Sequence, residues 1–542
     1  MWSAARQGVP GYAADDAGNA LRWARQCAPA KDSSALECRP PALIGGHART
    51  RSRCGSRTQS NSTLMPTESA STFHQIARLP LAVKLCALLL VYSLASGLFL
   101  LLATPPFQTP DALAHFFRSA QIAEGHWYGQ RYDDTSGGDV DASAIAFANA
   151  YSKIPFHADV KATNALRKAT DDLVWSGRME RVGFPNTAIY PAFAYVPQAL
   201  AIAAGRVAGM RVHSTYALAC TAGLLFSIAL TALAVAISRR TSILLFATAS
   251  LPTTMMIYSS VSQEVTVLPL CFLIIAAMDR LIHDQRPLAG KYAALVVAAL
   301  VVCISARPPL AGLLVMLLHP GLNMSGRPDK YEWGRRLTFI AMTVALSALA
   351  VIAFGYHAWS DFGPSHSVSG QLLYLFHYPG QVFAIAATTL KLNGVFYFQS
   401  FVGALGWLDT YFHRGYYVVA FVMLCLALAA SGLIYDDAPT GKRALSAVPL
   451  LAVFATVSMI FASLYLAWTA VGAPVVDGVQ GRYFLAVFPL LALALPSLPS
   501  RPTAQSRGLM RCRSVMVVCV ALFPLFSFAS LIPVVIQRFY LL

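Results

Sequence analysis

Apolar runs of about 20 residues, the length a helix needs to cross ~30 Å of hydrocarbon, recur from Leu81 to the C-terminus. In whole or in their most apolar part they cover residues 85–103, 216–237, 265–278, 339–354, 417–434, 448–468 and 515–532. Lipid offers the backbone no hydrogen-bond partner, so each run must close its own hydrogen bonds as a helix. The expected fold class is therefore all-α, a polytopic integral membrane protein of 11 to 13 helices. Composition agrees: 56% of the residues are hydrophobic and 12% charged, against about 25% charged in an ordinary soluble domain.

The net charge of +16 comes mainly from short basic clusters between apolar runs. Arg239 and Arg240, then Arg280, Arg286 and Lys291, then Arg327, Lys330, Arg335 and Arg336, then Lys442 and Arg443, then Arg501, Arg507, Arg511 and Arg513 are separated in this way. That is the pattern of cytoplasmic loops, and it points away from nucleic acid. No P-loop or dinucleotide fingerprint is present. The ten cysteines fall in the N-terminal tail or in and beside apolar runs, so neither a disulfide framework nor a CxxC metal site is implied. His357, His366 and His377 share one loop, but their spacing does not suit a metal site.

Four regions are expected. Residues 1–64 read as a disordered tail with no secretory signal, and Met65 reads as the natural start. Residues 65–103 form a cytoplasmic lead-in and the first membrane helix, with Arg78 and Lys84 holding its N-terminus inside. Residues 104–190 form an extracytoplasmic loop subdomain containing ten of the 25 acidic residues. Residues 191–542 form a multi-helix membrane domain.

Within PPFQTPDALAHFFRSAQIAEGHWYG, residues 105–129, prolines stop the membrane helix and Asp111 stands at a good N-cap position. Asp111, His115 and Arg118 then share one helical face. A carboxylate, an imidazole and a guanidinium at the membrane interface suit chemistry; an N-cap with an interfacial ion pair would use the same residues. In DGVQGRYFLAVFPLL, residues 477–491, Arg482 stands at the outer end of a helix, placed either to snorkel or to hold a phosphate bidentately. FVGALGWLDTYF, residues 401–412, carries Asp409 in another outer loop, and NTAIYPAFAYVPQALAIAAG, residues 186–205, carries Tyr190 and Tyr195 as interface anchors.

Taken in chain order, PPFQTPDALAHFFRSAQIAEG, YPAFAYVPQALAIAAGR, QSFVGALGWLDT and VQGRYFLAVFPLL resemble the bacterial membrane-protein family known as domain of unknown function 2142, over residues 81–500. The resemblance implies the GT-C fold of membrane glycosyltransferases that take sugars from polyprenyl-phosphate carriers, with an acidic residue in the first external loop. Where the family usually has Pro-Asp-Glu, this chain has Pro110, Asp111 and Ala112. The lost second carboxylate disfavours a divalent cation, and no other cofactor is implied.

The expected function is transfer of a sugar from a polyprenyl-phosphate carrier to a cell-envelope glycan or lipid acceptor, at the outer face of a bacterial plasma membrane. Asp111 would be the base. Arg482 would neutralise the leaving phosphate, and His115 and Arg118 would orient the base or touch phosphate. Tyr128, Tyr190 and Trp407 would stack on sugar, with Asp409 and Gln480 completing the substrate site. Two other readings stand beside this one: a transporter or flippase of a lipid-linked saccharide, and a non-catalytic subunit of envelope-polysaccharide assembly.

Overall fold

The computed structural model describes residues 79–132, 135–324, 331–359, 366–433, 435–436, 447–495, 498–499 and 504–541. The N-terminal tail, Asp133, Asp134 and the basic residues Arg327, Lys330, Lys442, Arg443 and Arg501 lie outside these.

Among the described residues, seven helices are long and apolar enough to cross a membrane. The first is α1, Leu81–Ala103. The large loop that follows carries α2 (Ala112–Ala123), α3 (Ala142–Ala150) and α4 (Asn164–Asp171), and α5, Val196–Val207, comes after it. The spanning helix α6, Val212–Ile237, follows, and its small residues let α1 and α9 approach closely. Two short helices, α7 (Ser242–Ala249) and α8 (Pro252–Tyr258), lead into α9, Glu264–Asp284. Next come α10, Gly290–Ala306, a 3₁₀ helix at Pro308–Leu318, and α11, Glu332–Gly355. The remainder comprises α12 (Val368–His377), α13 (Gln381–Val402), α14 (Arg414–Gly432), α15 (Ala447–Ala467) and α16 (Ala504–Phe539). Pro252, Pro308 and Pro489 stand at the starts of short segments, where a missing N–H is harmless. Several apolar runs are thereby built from interrupted helices rather than one continuous span.

The connectivity puts the end of α1, the starts of α6 and α9, and the end of α10 on the same side as the large loop. On the opposite side, Asp279 gathers the turn after α6: one carboxylate oxygen accepts from the backbone N–H groups of Arg239, Arg240 and Thr241 at 2.8, 2.8 and 2.9 Å.

The loop is not wholly helical. It contains a three-stranded antiparallel sheet in the order β1 (Gln130–Tyr132), β2 (Thr135–Asp141), β3 (Met179–Gly183). Gly137 pairs with Gln130 on one side and Gly183 on the other, and Asp141 pairs with Met179. Many of the loop's acids are structural. Asp141 accepts from the N–H groups of Ser143 and Gly177 at 2.8 and 2.7 Å, Asp172 pairs with Arg211, Asp171 with His213 and Glu124 with Arg206.

Candidate functional site

Pro105, Pro106 and Pro110 prevent α1 from running on into α2, and the chain between them turns sharply. Phe107 and Asp111 both take left-handed backbone conformations, with φ of 65° and 61°. This corrects the capping role expected of Asp111. An N-cap residue ordinarily has an extended backbone that aims its side chain at the first-turn N–H groups. The left-handed Asp111 makes no such bond. Its Oδ1 instead accepts from Asn186 Nδ2 at 2.9 Å.

The groups acting electrostatically on Asp111 come from three distant parts of the chain: Glu264 at the start of α9, Arg307 after α10, and Arg482 in the 3₁₀ turn Gly481–Phe484. Arg307 Nη2 lies 2.6 Å from Glu264 Oε1, and Arg482 Nη1 lies 3.4 Å from Glu264 Oε2. One carboxylate therefore answers two guanidinium groups. The Tyr483 ring lies beneath both, 4.6 Å from the Arg307 guanidinium and 5.4 Å from that of Arg482. Burial raises the Asp111 carboxyl above its usual range, partly opposed by the charges of Arg482 and Arg307.

Local sequence explains how these groups meet. Pro308 and Pro309 end α10 at Arg307, so this arginine stands at a turn instead of inside a helix. Gly481 lies so close to α13 that a Cβ would fall 1.8 Å from the Tyr397 carbonyl oxygen. Its N–H donates to Ser400 Oγ at 2.8 Å, and only glycine permits that approach. The neighbourhood also keeps unused polar capacity. Arg482 Nε, Gln480 Oε1, Ser262 Oγ, Thr266 Oγ1 and both side-chain polar atoms of Gln263 are buried with no hydrogen-bond partner among the described residues. Buried polar atoms in that condition are rare unless something else satisfies them.

His115 and Arg118 are built into the wall. His115 Nδ1 lies 2.8 Å from the Tyr195 hydroxyl, and its ring stacks near that of Tyr190. Burial, then the charges of Arg482 and Arg307, holds the imidazole well below its usual range. That disfavours the imidazolium, and Nδ1 shares its hydrogen bond with the Tyr195 hydroxyl. Arg118, expected to orient the base or touch phosphate, is fully buried and donates to the carbonyls of Trp127 at 2.7 Å and Tyr190 at 3.1 Å, and to Gln121 at 2.5 Å. Its donors hold the backbone.

The remaining residues divide. Tyr128 is half exposed and stacks on Phe354 of α11. Trp407 Nε1 donates to the Phe107 carbonyl at 2.8 Å. Asp409 accepts from Arg538 at 2.8 Å and from the Phe156 N–H at 3.0 Å, tying the large loop to the end of α16. Trp407 and Asp409 thus fasten the seam beside the site. The structure groups Asp111 and Arg482 with Tyr190 and His115, and adds Glu264, Arg307, Asn186, Tyr195 and Tyr483. Arg307 had one legible signal: it is a lone cation at a turn on the loop side, against the distribution of the basic clusters.

A cation does not fit here. Ala112 supplies no ligand, the Glu264 oxygens serve two arginines, and those same arginines would repel a divalent ion from Asp111. Among the described residues no group of three or more His, Cys, Asp or Glu is placed to hold a metal.

The architecture and this cluster define a polytopic helical membrane protein with a buried polar site at the loop end of its helices. The chain belongs to the predicted membrane protein family DUF2142, whose pattern matches residues 94–491. Comparison with curated proteins and with solved structures gave no match.

Proposed function

We propose that this protein is a GT-C-like membrane glycosyltransferase that moves a sugar from a polyprenyl-phosphate carrier to a cell-envelope glycan or lipid acceptor. The site would face the outside of a bacterial plasma membrane, with the N-terminus in the cytoplasm. The observation that carries the reading is the placement of one half-buried carboxylate, Asp111, beside two arginines that share a single glutamate. Such a site offers a base and an excess of positive charge side by side.

In the proposed step the acceptor hydroxyl oxygen attacks C1 of the sugar, and its proton passes to the Asp111 carboxylate. The bond from C1 to the phosphate oxygen breaks, its electron pair staying on the phosphate. Arg482 and Arg307 stabilise that developing charge. Arg482 Nε has no partner among the described residues and can donate to a phosphate oxygen. His115, Tyr190 and Tyr195 keep the wall beside the base dry and fixed.

The test is transfer of radiolabel from a polyprenyl-phosphate sugar by the purified protein in liposomes. Product formation supports the reading. Movement of label across the bilayer without product would favour the transporter, a reading supported by the partly buried Glu264–Arg307 pair among interrupted helices. Neither outcome would leave the assembly subunit.

A further inference from the structure

We infer that the rim beside α11 is a saccharide-binding groove, a site in its own right whose existence does not depend on the transferase reading. The groove is a cavity of about 1110 Å³ between residues 125–131 of the outer loop and residues 356–359 after α11. Four large aromatics line it: Trp127, Tyr128, Tyr356 and Trp359, between 42% and 74% exposed. His126 and His357 interleave with them, Gln130 and Arg131 add donors, and the two other lining residues are glycines.

Among the described residues the lining contains no aliphatic side chain. This separates the groove from the lipid-facing surface, where exposed residues such as Val91, Leu102 and Leu349 are aliphatic. Lipid tails or an amphipathic helix would be met by Leu, Ile and Val. Flat rings alternating with hydrogen-bonding edges instead match a pyranose, which has C–H faces and hydroxyl edges. Tyr and Trp supply such contact at low entropic cost, since each has only two side-chain torsions.

The rim is held rigid from behind. Arg118 donates to the Trp127 carbonyl and Gln121 Nε2 to the Tyr128 carbonyl at 3.1 Å. The His126 N–H donates to the Gln121 carbonyl at 3.1 Å. A Cβ at Gly129 would lie 2.6 Å from the Ala188 carbonyl oxygen, so the loop is pressed against its support. Across the groove, Tyr128 stacks on Phe354 at 5.0 Å and meets His357 edge-on at 6.1 Å. Fully buried polar side chains thus hold exposed rings outward, the preorganisation a binding surface requires. Arg118 also holds the Tyr190 carbonyl, joining the groove's support to the wall of the Asp111 site.

Binding of soluble oligosaccharides built from glucose, galactose, mannose, rhamnose and N-acetylglucosamine to the full chain in nanodiscs tests this, read by saturation-transfer NMR. At least one should bind. Trp127→Ala and Trp359→Ala should each weaken it by about ten-fold, while Trp127→Phe and Tyr128→Phe, which keep a ring, retain most of it; thermal unfolding shows whether each variant is folded. No binding by any of the sugars, or binding unchanged in both alanine variants, overturns the inference. So does quenching of Trp127 and Trp359 emission by lipids brominated on their acyl chains, measured as the difference between wild type and each alanine variant. Because binding is read without turnover, loss of the transferase reading leaves the result intact.

Discussion

Arg307 donates to Glu264 across 2.6 Å, and both residues stand at the loop-side ends of helices that sequence alone does not bring together. The second oxygen of Glu264 faces Arg482, so removing this carboxylate strands the buried Arg482 and the partly buried Arg307. Glu264→Gln should therefore destabilise the protein by about 3–5 kcal/mol, the cost of breaking a buried pair by deleting one partner. If the arginines hold a lipid phosphate, added polyprenyl monophosphate should raise the melting temperature of this variant more than that of wild type. Wild-type melting of Glu264→Gln would show that the pairing is inconsequential.

Arg482 lies between Glu264 and the Tyr483 ring with its Nε unused. A planar fork is needed to serve a glutamate and a phosphate together, whereas an ammonium is a point charge. Arg482→Lys should recover only part of the donor affinity lost in Arg482→Ala, measured by polyprenyl-phosphate-sugar binding. Equal affinity in the lysine variant and wild type would reduce Arg482 to a buried counter-charge for Glu264.

His115 gives a pH signature of known sign. Its folded-state value lies well below the ordinary ~6.5 of the unfolded chain. Between those two values the unfolded state binds more protons, so stability rises with pH and is lost as pH falls below about 6.5. Asp111, raised by burial, acts with the opposite sign, and its contribution cancels between proteins that both retain it. Acidification from about pH 7 to 5 should lower the melting temperature of wild type more than that of His115→Gln. Parallel curves would contradict a buried neutral imidazole.

The membrane helices were legible because hydrocarbon tolerates few sequences and no other backbone solution. Asp111 was legible from the prolines around it, but its conformation was not: nothing in PDALAH distinguishes an extended N-cap from the left-handed backbone observed. The sheet was hidden because TSGGDVD has two glycines and two aspartates and little β propensity; it pairs through tertiary closure of the loop. Arg118 illustrates a subtler gap. Periodicity placed it on the same face as Asp111, while its partners, the carbonyls of Trp127 and Tyr190, depend on how residues 125–190 fold back. The pairing of Arg307 with Glu264 was hidden for the same reason, since the two lie 43 positions apart.

Orientation is open to a direct check. Lys153 is exposed on the loop side and Arg286 is exposed on the opposite side. A membrane-impermeant thiol reagent applied to intact cells should label Lys153→Cys above the background of the native cysteines and leave Arg286→Cys at that background. Reversed labelling would turn the site inward and remove any envelope acceptor from reach.

The central claim is that Asp111 takes the acceptor proton, and sugar transfer by Asp111→Asn in liposomes tests it most directly. Asn tolerates a left-handed backbone and can still accept from Asn186, but it cannot serve as the base. Asp111→Ser provides the structural control: serine is a good N-cap yet fits the left-handed region poorly, so it should lose about 1 kcal/mol of stability where Asn loses little. With donor binding retained, transfer by Asp111→Asn should fall about 10²- to 10⁴-fold. Wild-type turnover in a folded Asp111→Asn protein would contradict the account.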